Sequence, residues 1–110
     1  MTTARFKISN SPGKQFTFHL TGANGEIMLV SERHTSHGGA MNGIDSVKEN
    51  ALHDERYDRL VSRDDQRQRY FVLKAANGEV LAVSEMYSSK SAMEAGIASV
   101  KAHAPSAIVE

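Results

Sequence analysis

The stretch Ala23–Glu32 reads ANGEIMLVSE, and Ala76–Glu85 reads ANGEVLAVSE, fifty-three residues further on. Sliding the chain by that offset without a gap lays Phe18–Ala51 on Phe71–Ala104 with sixteen of thirty-four pairs identical. Unrelated pairs agree about 6% of the time at average residue usage, which predicts roughly two or three matches. The chain is therefore an internal duplication. Upstream, RFKIS at Arg5–Ser9 pairs best with RYDRL at Arg56–Leu60, so the second copy carries two extra residues in its first turn. That turn reads SPGKQ in one copy and SRDDQRQ in the other, the kind of hairpin tip where insertions are tolerated.

Each copy carries the same pattern of elements. Phe6–Ile8 and Tyr57–Val61 read as short strands. In the next segment Phe16, Phe18 and Leu20 alternate with Gln15, Thr17 and His19, the period of a half-buried strand. Asn24-Gly25 and Asn77-Gly78 predict two-residue type I′ turns, which need positive φ at both central positions. The third strand follows at Ile27–Glu32 and Val80–Glu85. A helix comes after it, with Ser36 and Ser89 placed to cap its free N–H groups, or with a capping box at Ser91–Glu94 in the second copy. Ala92, Met93, Gly96, Ile97, Val100 and Ala104 fall on one helical face, matched by Gly39, Ala40, Gly43, Ile44, Val47 and Ala51. A mid-helix glycine costs about 1 kcal/mol relative to alanine. Gly43 and Gly96, at equivalent positions, predict a close approach of helix to sheet. Pro105 ends the second helix, and SAIVE is apolar enough for a short C-terminal strand.

A unit of about 50 residues is marginal alone and leaves a raw sheet edge. Two units joined edge to edge bury what neither buries singly. The expected fold is α+β: one domain over residues 1–110, with tandem β-β-β-α repeats at about 5–51 and 56–104. These form one continuous antiparallel sheet with two helices on one face. The composition agrees, at 40% hydrophobic and 24% charged. Thirteen basic residues balance thirteen acidic ones, and the balance holds in each half, so no global field recruits nucleic acid or an anionic membrane. Without cysteine there is no disulfide, zinc–thiolate site or thiol nucleophile. The N-terminal MTTARFKISN has no apolar run of signal-peptide length and no stretch approaches a membrane span, so a soluble, cytoplasmic protein is expected.

The run RYFVLKAANGEVLAVSEMYSSKSAMEAGIASVKAHAP at Arg69–Pro105, with its weaker twin at Gln15–Ala51, resembles the YegP-like family of small uncharacterised bacterial proteins. The resemblance covers nearly the whole chain. It implies tandem β3-α units in one sheet, with C-terminal strands exchanged between units, and it implies no activity. The first copy departs from the pattern, with ERHTSHGGAMNG where the second has EMYSSKSAMEAG. Any site built on Tyr87 or Lys90 exists once per chain.

Few residues suggest chemistry. His34 and His37 have a spacing that two metal-binding imidazoles can use, but no carboxylate motif accompanies them and their counterparts are Tyr87 and Lys90. Gly38-Gly39 lacks the phosphate-loop signature. Arg63, Arg67 and Arg69 are offset by Asp64 and Asp65, and the seven aromatics show no stacking pattern for RNA. Glu32 and Glu85 recur at strand ends without a sign of pairing. No catalytic residues, metal ligands or cofactor are assigned, and nucleic acid and membrane partners are disfavoured.

Two functional readings follow. With two-residue turns, Met28, Val30, Val72, Leu81 and Val83 fall on the sheet face that the helices leave uncovered. Such a face suits a protein partner or self-association, and a non-enzymatic interaction module is the leading reading. The alternative is a small-ligand site, or an enzyme, at the loop–helix junction 86–91, where Tyr87, Ser88, Ser89 and Lys90 meet a helix N-terminus.

Overall fold

The computed structural model describes residues 3–13 and 15–110. Strands β1 (Arg5–Ser11), β2 (Gln15–Thr21) and β3 (Ile27–Ser31) precede helix α1 (His37–Asn50). After a single 3-10 turn at Asp54–Arg56 the second copy repeats the series as β4 (Tyr57–Val61), β5 (Arg69–Lys74), β6 (Val80–Val83) and α2 (Lys90–His103). A last strand, β7 (Ile108–Val109), closes the chain. All seven strands form one sheet in the order β4-β5-β6-β3-β2-β1-β7. The copies join where β3 and β6 pair antiparallel through Val30 with Val83 and Ser31 with Ala82.

One expectation needs correcting. The sheet is mixed, because β7 runs parallel to β1. The chain leaves α2 through Ala104–Ser106 and enters beside the start of β1, where Ile108 N–H donates to Ala4 O at 3.1 Å and Glu110 N–H to Phe6 O at 2.9 Å. The second copy thus protects the edge of the first, and Arg5 pins the join through an ion pair with Glu110.

The hairpin turns also differ from the type I′ expectation. Gly25 N–H donates to Gly22 O and Gly22 N–H to Glu26 O, at 2.9 and 2.8 Å. Only the glycine is left-handed, at φ +84°, and Gly78 repeats this at +90°. These are three-residue loops, a type I turn followed by a glycine bulge. Asn24 Oδ1 accepts from Glu26 N–H, and Asn77 Oδ1 from Glu79 N–H, which is why asparagine recurs there. The longer loop moves the pairing to Thr21 with Ile27 and Lys74 with Val80, and a β-bulge then restores Leu20 with Leu29 and Leu73 with Ala82. The bulged residues are Met28 and Leu81. Both turn onto the helix side and pack against the core, instead of the uncovered face where two-residue turns would put them.

Both helices start where expected, with Ser36 Oγ accepting from Gly39 N–H and Ser89 Oγ from Ala92 N–H. The alternative start at Ser91 is not used; Glu94 instead binds Arg59. Under each helix lies a column of three rings. Phe18 meets Phe6 edge-on and stacks on His34, with centroids 5.8 and 6.0 Å apart. Phe71 does the same with Tyr57 and Tyr87, at 5.7 and 6.2 Å. The mid-helix glycines sit directly on these columns. A Cβ on Gly43 would lie 3.0 Å from His34 and Phe18, and one on Gly96 only 2.3 Å from Tyr87 Oη. The column leaves Ser31 and Ser84 buried, and each hydroxyl is satisfied, accepting from Phe18 or Phe71 N–H and donating to the next carbonyl.

The copies are anchored differently at their edges. Ile8 and Met41 pack against the core, whereas their counterparts Arg59 and Glu94 form an ion pair at 2.6 Å. Arg59 also binds Asp54, which receives Lys101 at 2.6 Å. The Lys101 and Arg59 hydrogen bonds hold the Asp54 carboxyl down at about 2, so this link between α2 and β4 is intact above the ordinary value of 3.8 and fails as pH falls toward 2.

The bulge yields a sharp expectation. Leu81→Glu should destabilise the fold by about 1–3 kcal/mol in urea denaturation, because it sets a charge against the core. Val80→Glu should change stability by less than about 0.5 kcal/mol. The reverse order would mean that the hairpins keep a two-residue register.

Candidate binding surfaces

The register places one row of side chains across the uncovered face. Asp58, Val72, Val83, Val30, His19 and Lys7 are successive partners across β4, β5, β6, β3, β2 and β1. Their chain neighbours Leu73, Ala82, Leu29 and Leu20 point into the helix-side core and are fully buried. Val72, 7% exposed, stands outside the core cluster that the helices cover; it is the floor of the opposite face. Val83 is half-buried and Val30 is 38% exposed. Val80, the partner of Lys74, extends the apolar strip along β6, whereas Ile27, the partner of Thr21, lines the recesses on the helix side. Both are exposed large hydrophobics. Val30, Val72, Val83 and Val80 thus share this face, whereas Met28 and Leu81, which a two-residue register puts there, turn toward the helices. A three-residue reading of Ala-Asn-Gly-Glu was the signal that would have shown this. At the strip's ends Asp58 pairs with Lys74, while Lys7 has no ion pair among the described residues.

A second surface lies on the helix side. The β2–β3 loop of the first copy reaches toward α2 of the second, and a cleft of about 470 Å³ opens between them. Gly22, Asn24, Glu26 and Met28 line one wall, and Ala92, Ala95, Gly96 and Ser99 the other. Met28 Sδ accepts from Ser99 Oγ at 3.2 Å where the walls meet. Tyr87 lines the cleft, and a shallower recess continues from it past Glu85 and Met86.

Of the four residues at the 86–91 junction, only Tyr87 lines the cleft. Ser88 and Lys90 are exposed outside it, and Ser89 is occupied as the N-cap. Tyr57 Oη donates to Ala51 O at 2.8 Å, but Tyr87 Oη has no hydrogen-bond partner among the described residues. The two histidines serve as packing rings: His34 stacks on Phe18, and His37 meets Phe16 edge-on. Among the described residues no three histidine, aspartate or glutamate side chains come together as a metal site, and no helix is long and apolar enough to cross a membrane.

Burial raises the Tyr87 phenol above its ordinary value of 10.0, and the charges of Glu85 and Glu26 add to the shift. Titration followed by NMR of ring-labelled tyrosine should find Tyr87 above that value. Glu85→Gln should lower its pKa without restoring the ordinary value, since burial is the larger cause. A Tyr87 pKa unmoved by Glu85→Gln would contradict this placement.

A family model described as a domain of unknown function, DUF1508, matches residues 12–58 and again 64–110. A UPF0339 protein of Bordetella pertussis is 46% identical over 100 residues, covering 91% of this chain and 88% of that protein. The UPF0339 protein YegP of Escherichia coli O157:H7 is 42% identical over 105 residues, covering 96% and 94%. The solution NMR structure of a UPF0339 protein from Shewanella oneidensis superposes with a TM-score of 0.90 at 38% identity, over 99% of this chain and 91% of that one. That of YegP from E. coli gives 0.87 at 40% identity, over 100% and 93%. With its fold and both copies of its repeat matched, this chain belongs to the DUF1508 family.

Proposed function

We propose that the chain acts by binding a protein partner through the uncovered face of its sheet, rather than by turnover. The observation that carries this reading is the in-register row Val72, Val83 and Val30 at the centre of the sheet, on the side away from both helices. A sheet in a single-layer arrangement normally spends its outer face on alternating polar residues. Here β1 and β2 do so, with Lys7, Thr17 and His19, whereas Val72, Val83 and Val30 follow one another across β5, β6 and β3. Val30, 38% exposed, and the half-buried Val83 leave apolar surface above the Val72 floor for a partner to cover. A folded partner presenting an apolar face or strand fits the strip, and its polar rim fits Lys7 at one end and the Asp58–Lys74 pair at the other.

The test is substitution of an exposed member of the row. Val30→Glu should leave the helix signal in circular dichroism intact and weaken capture of the partner by the tagged chain at least about tenfold, or about 1.4 kcal/mol. Val83→Glu should do the same. Lys90→Ala, on the other side of the molecule, should bind like the wild type. Undiminished capture by both face variants, or loss with Lys90→Ala alone, would overturn the reading.

A further inference from the structure

We propose that the cleft between α2 and the β2–β3 loop is a binding site for one small organic cation, an amine carried on a compact apolar body. This site is separate from the sheet face and does not depend on the reading above. Its volume, about 470 Å³, is of small-molecule size. The α2 wall presents Ala92, Ala95 and Gly96, so the space there is held open by the smallness of the side chains, and Met28 gives the opposite wall an apolar, adaptable surface.

Among the polar residues that line the cleft are Tyr87 and Glu26. Tyr87 Oη is free of protein hydrogen bonds among the described residues and remains a neutral phenol, able to accept from an ammonium N–H. Glu26 shares the cleft with it, and Glu85 shares the adjoining recess. Both carboxylates are exposed and neither has an ion-pair partner among the described residues. Two unpaired carboxylates beside an unpaired phenol select a cation over an anion, and the apolar walls select a body that leaves water.

The duplication explains why the site is single. Where the second copy has Tyr87, Ala95 and His103, the first has His34, Asn42 and Asn50. Asn50 is buried there, donating to Ser46 O and accepting from Arg56 Nη1, so that end of the equivalent groove is tied shut. His103 is exposed at the matching end of the cleft.

Amide chemical-shift titration of the intact chain with phenethylamine, phenylacetate and phenethyl alcohol tests this directly. The expected result is saturable one-site shifts with phenethylamine, confined to residues 22–28, Tyr87 and residues 92–99. Phenylacetate and the alcohol should bind more weakly, by up to about fivefold, the discrimination an exposed charge pair supplies. Glu26→Gln should weaken the amine while leaving the alcohol unchanged, and Ala95→Leu, which fills the cleft from an exposed helix position, should abolish both. The proposal is overturned if no probe gives saturable shifts, if phenylacetate matches or exceeds the amine, or if the shifts fall on Val30, Val72 and Val83. It also fails if both variants bind the amine like the wild type.

Discussion

Each half of this molecule depends on a ring seated beneath a glycine of its own helix. In the second copy Tyr87 stacks on Phe71 and its hydroxyl end lies under Gly96, where any Cβ would fall 2.3 Å from the oxygen. The arrangement gives up about 1 kcal/mol of helix propensity at the glycine. In return it lets the helix descend onto the sheet. Burying a ring or a large aliphatic side chain is worth roughly 1.5–3 kcal/mol. Phe71 and Leu73 of the sheet and Met93, Ile97 and Val100 of α2 itself are all buried at this contact, so the balance favours the glycine. The first copy repeats the solution with His34, Phe18 and Gly43.

What the copies share is this packing; where they differ, they specialise. The apolar anchors Ile8 and Met41 become the ion pair of Arg59 with Glu94, which ties α2 to the edge strand β4. The imidazole at 34 becomes a phenol at 87, and the loop of the other copy leaves a cleft beside it. The uncovered face belongs to neither copy alone. Val72 and Val83 come from the second and Val30 from the first, so the strip exists only because β3 and β6 pair. Duplication therefore created surfaces as well as a core.

Much of the fold was legible because duplication writes each signal twice. The offset of fifty-three residues located the strands, and Ser36 and Ser89 located the helix starts to the residue. Two features were not legible. Asn-Gly specifies a tight turn without deciding between a two-residue and a three-residue loop, and that one-residue ambiguity reverses the face of Met28 and Leu81. The direction of β7 follows from where Ala104–Ser106 delivers the chain, a long-range matter that no local pattern in SAIVE encodes. On the sheet, alternation places Val30, Val72 and Val83 on one face, whereas the side that Met28 and Leu81 take depends on the loop length. The cleft was not legible, because its walls, residues 22–28 and 92–99, are 64 or more positions apart and come from different copies. Tyr87 was singled out for its position at a helix start, and its burial against Phe71 could not be seen from there.

The most direct test of the central constraint is a double-mutant cycle between Gly96 and Tyr87, read by chemical denaturation. In the wild-type background Gly96→Ala should destabilise by about 1–3 kcal/mol, because the added methyl overpacks a stacked ring. In a Tyr87→Ala background the same change should stabilise by up to about 1 kcal/mol, as helix propensity alone would dictate. The sign of the glycine substitution reverses with the ring beneath it. If Gly96→Ala has the same effect in both backgrounds, with a coupling below about 0.5 kcal/mol, the ring does not hold the glycine in place and the account is wrong.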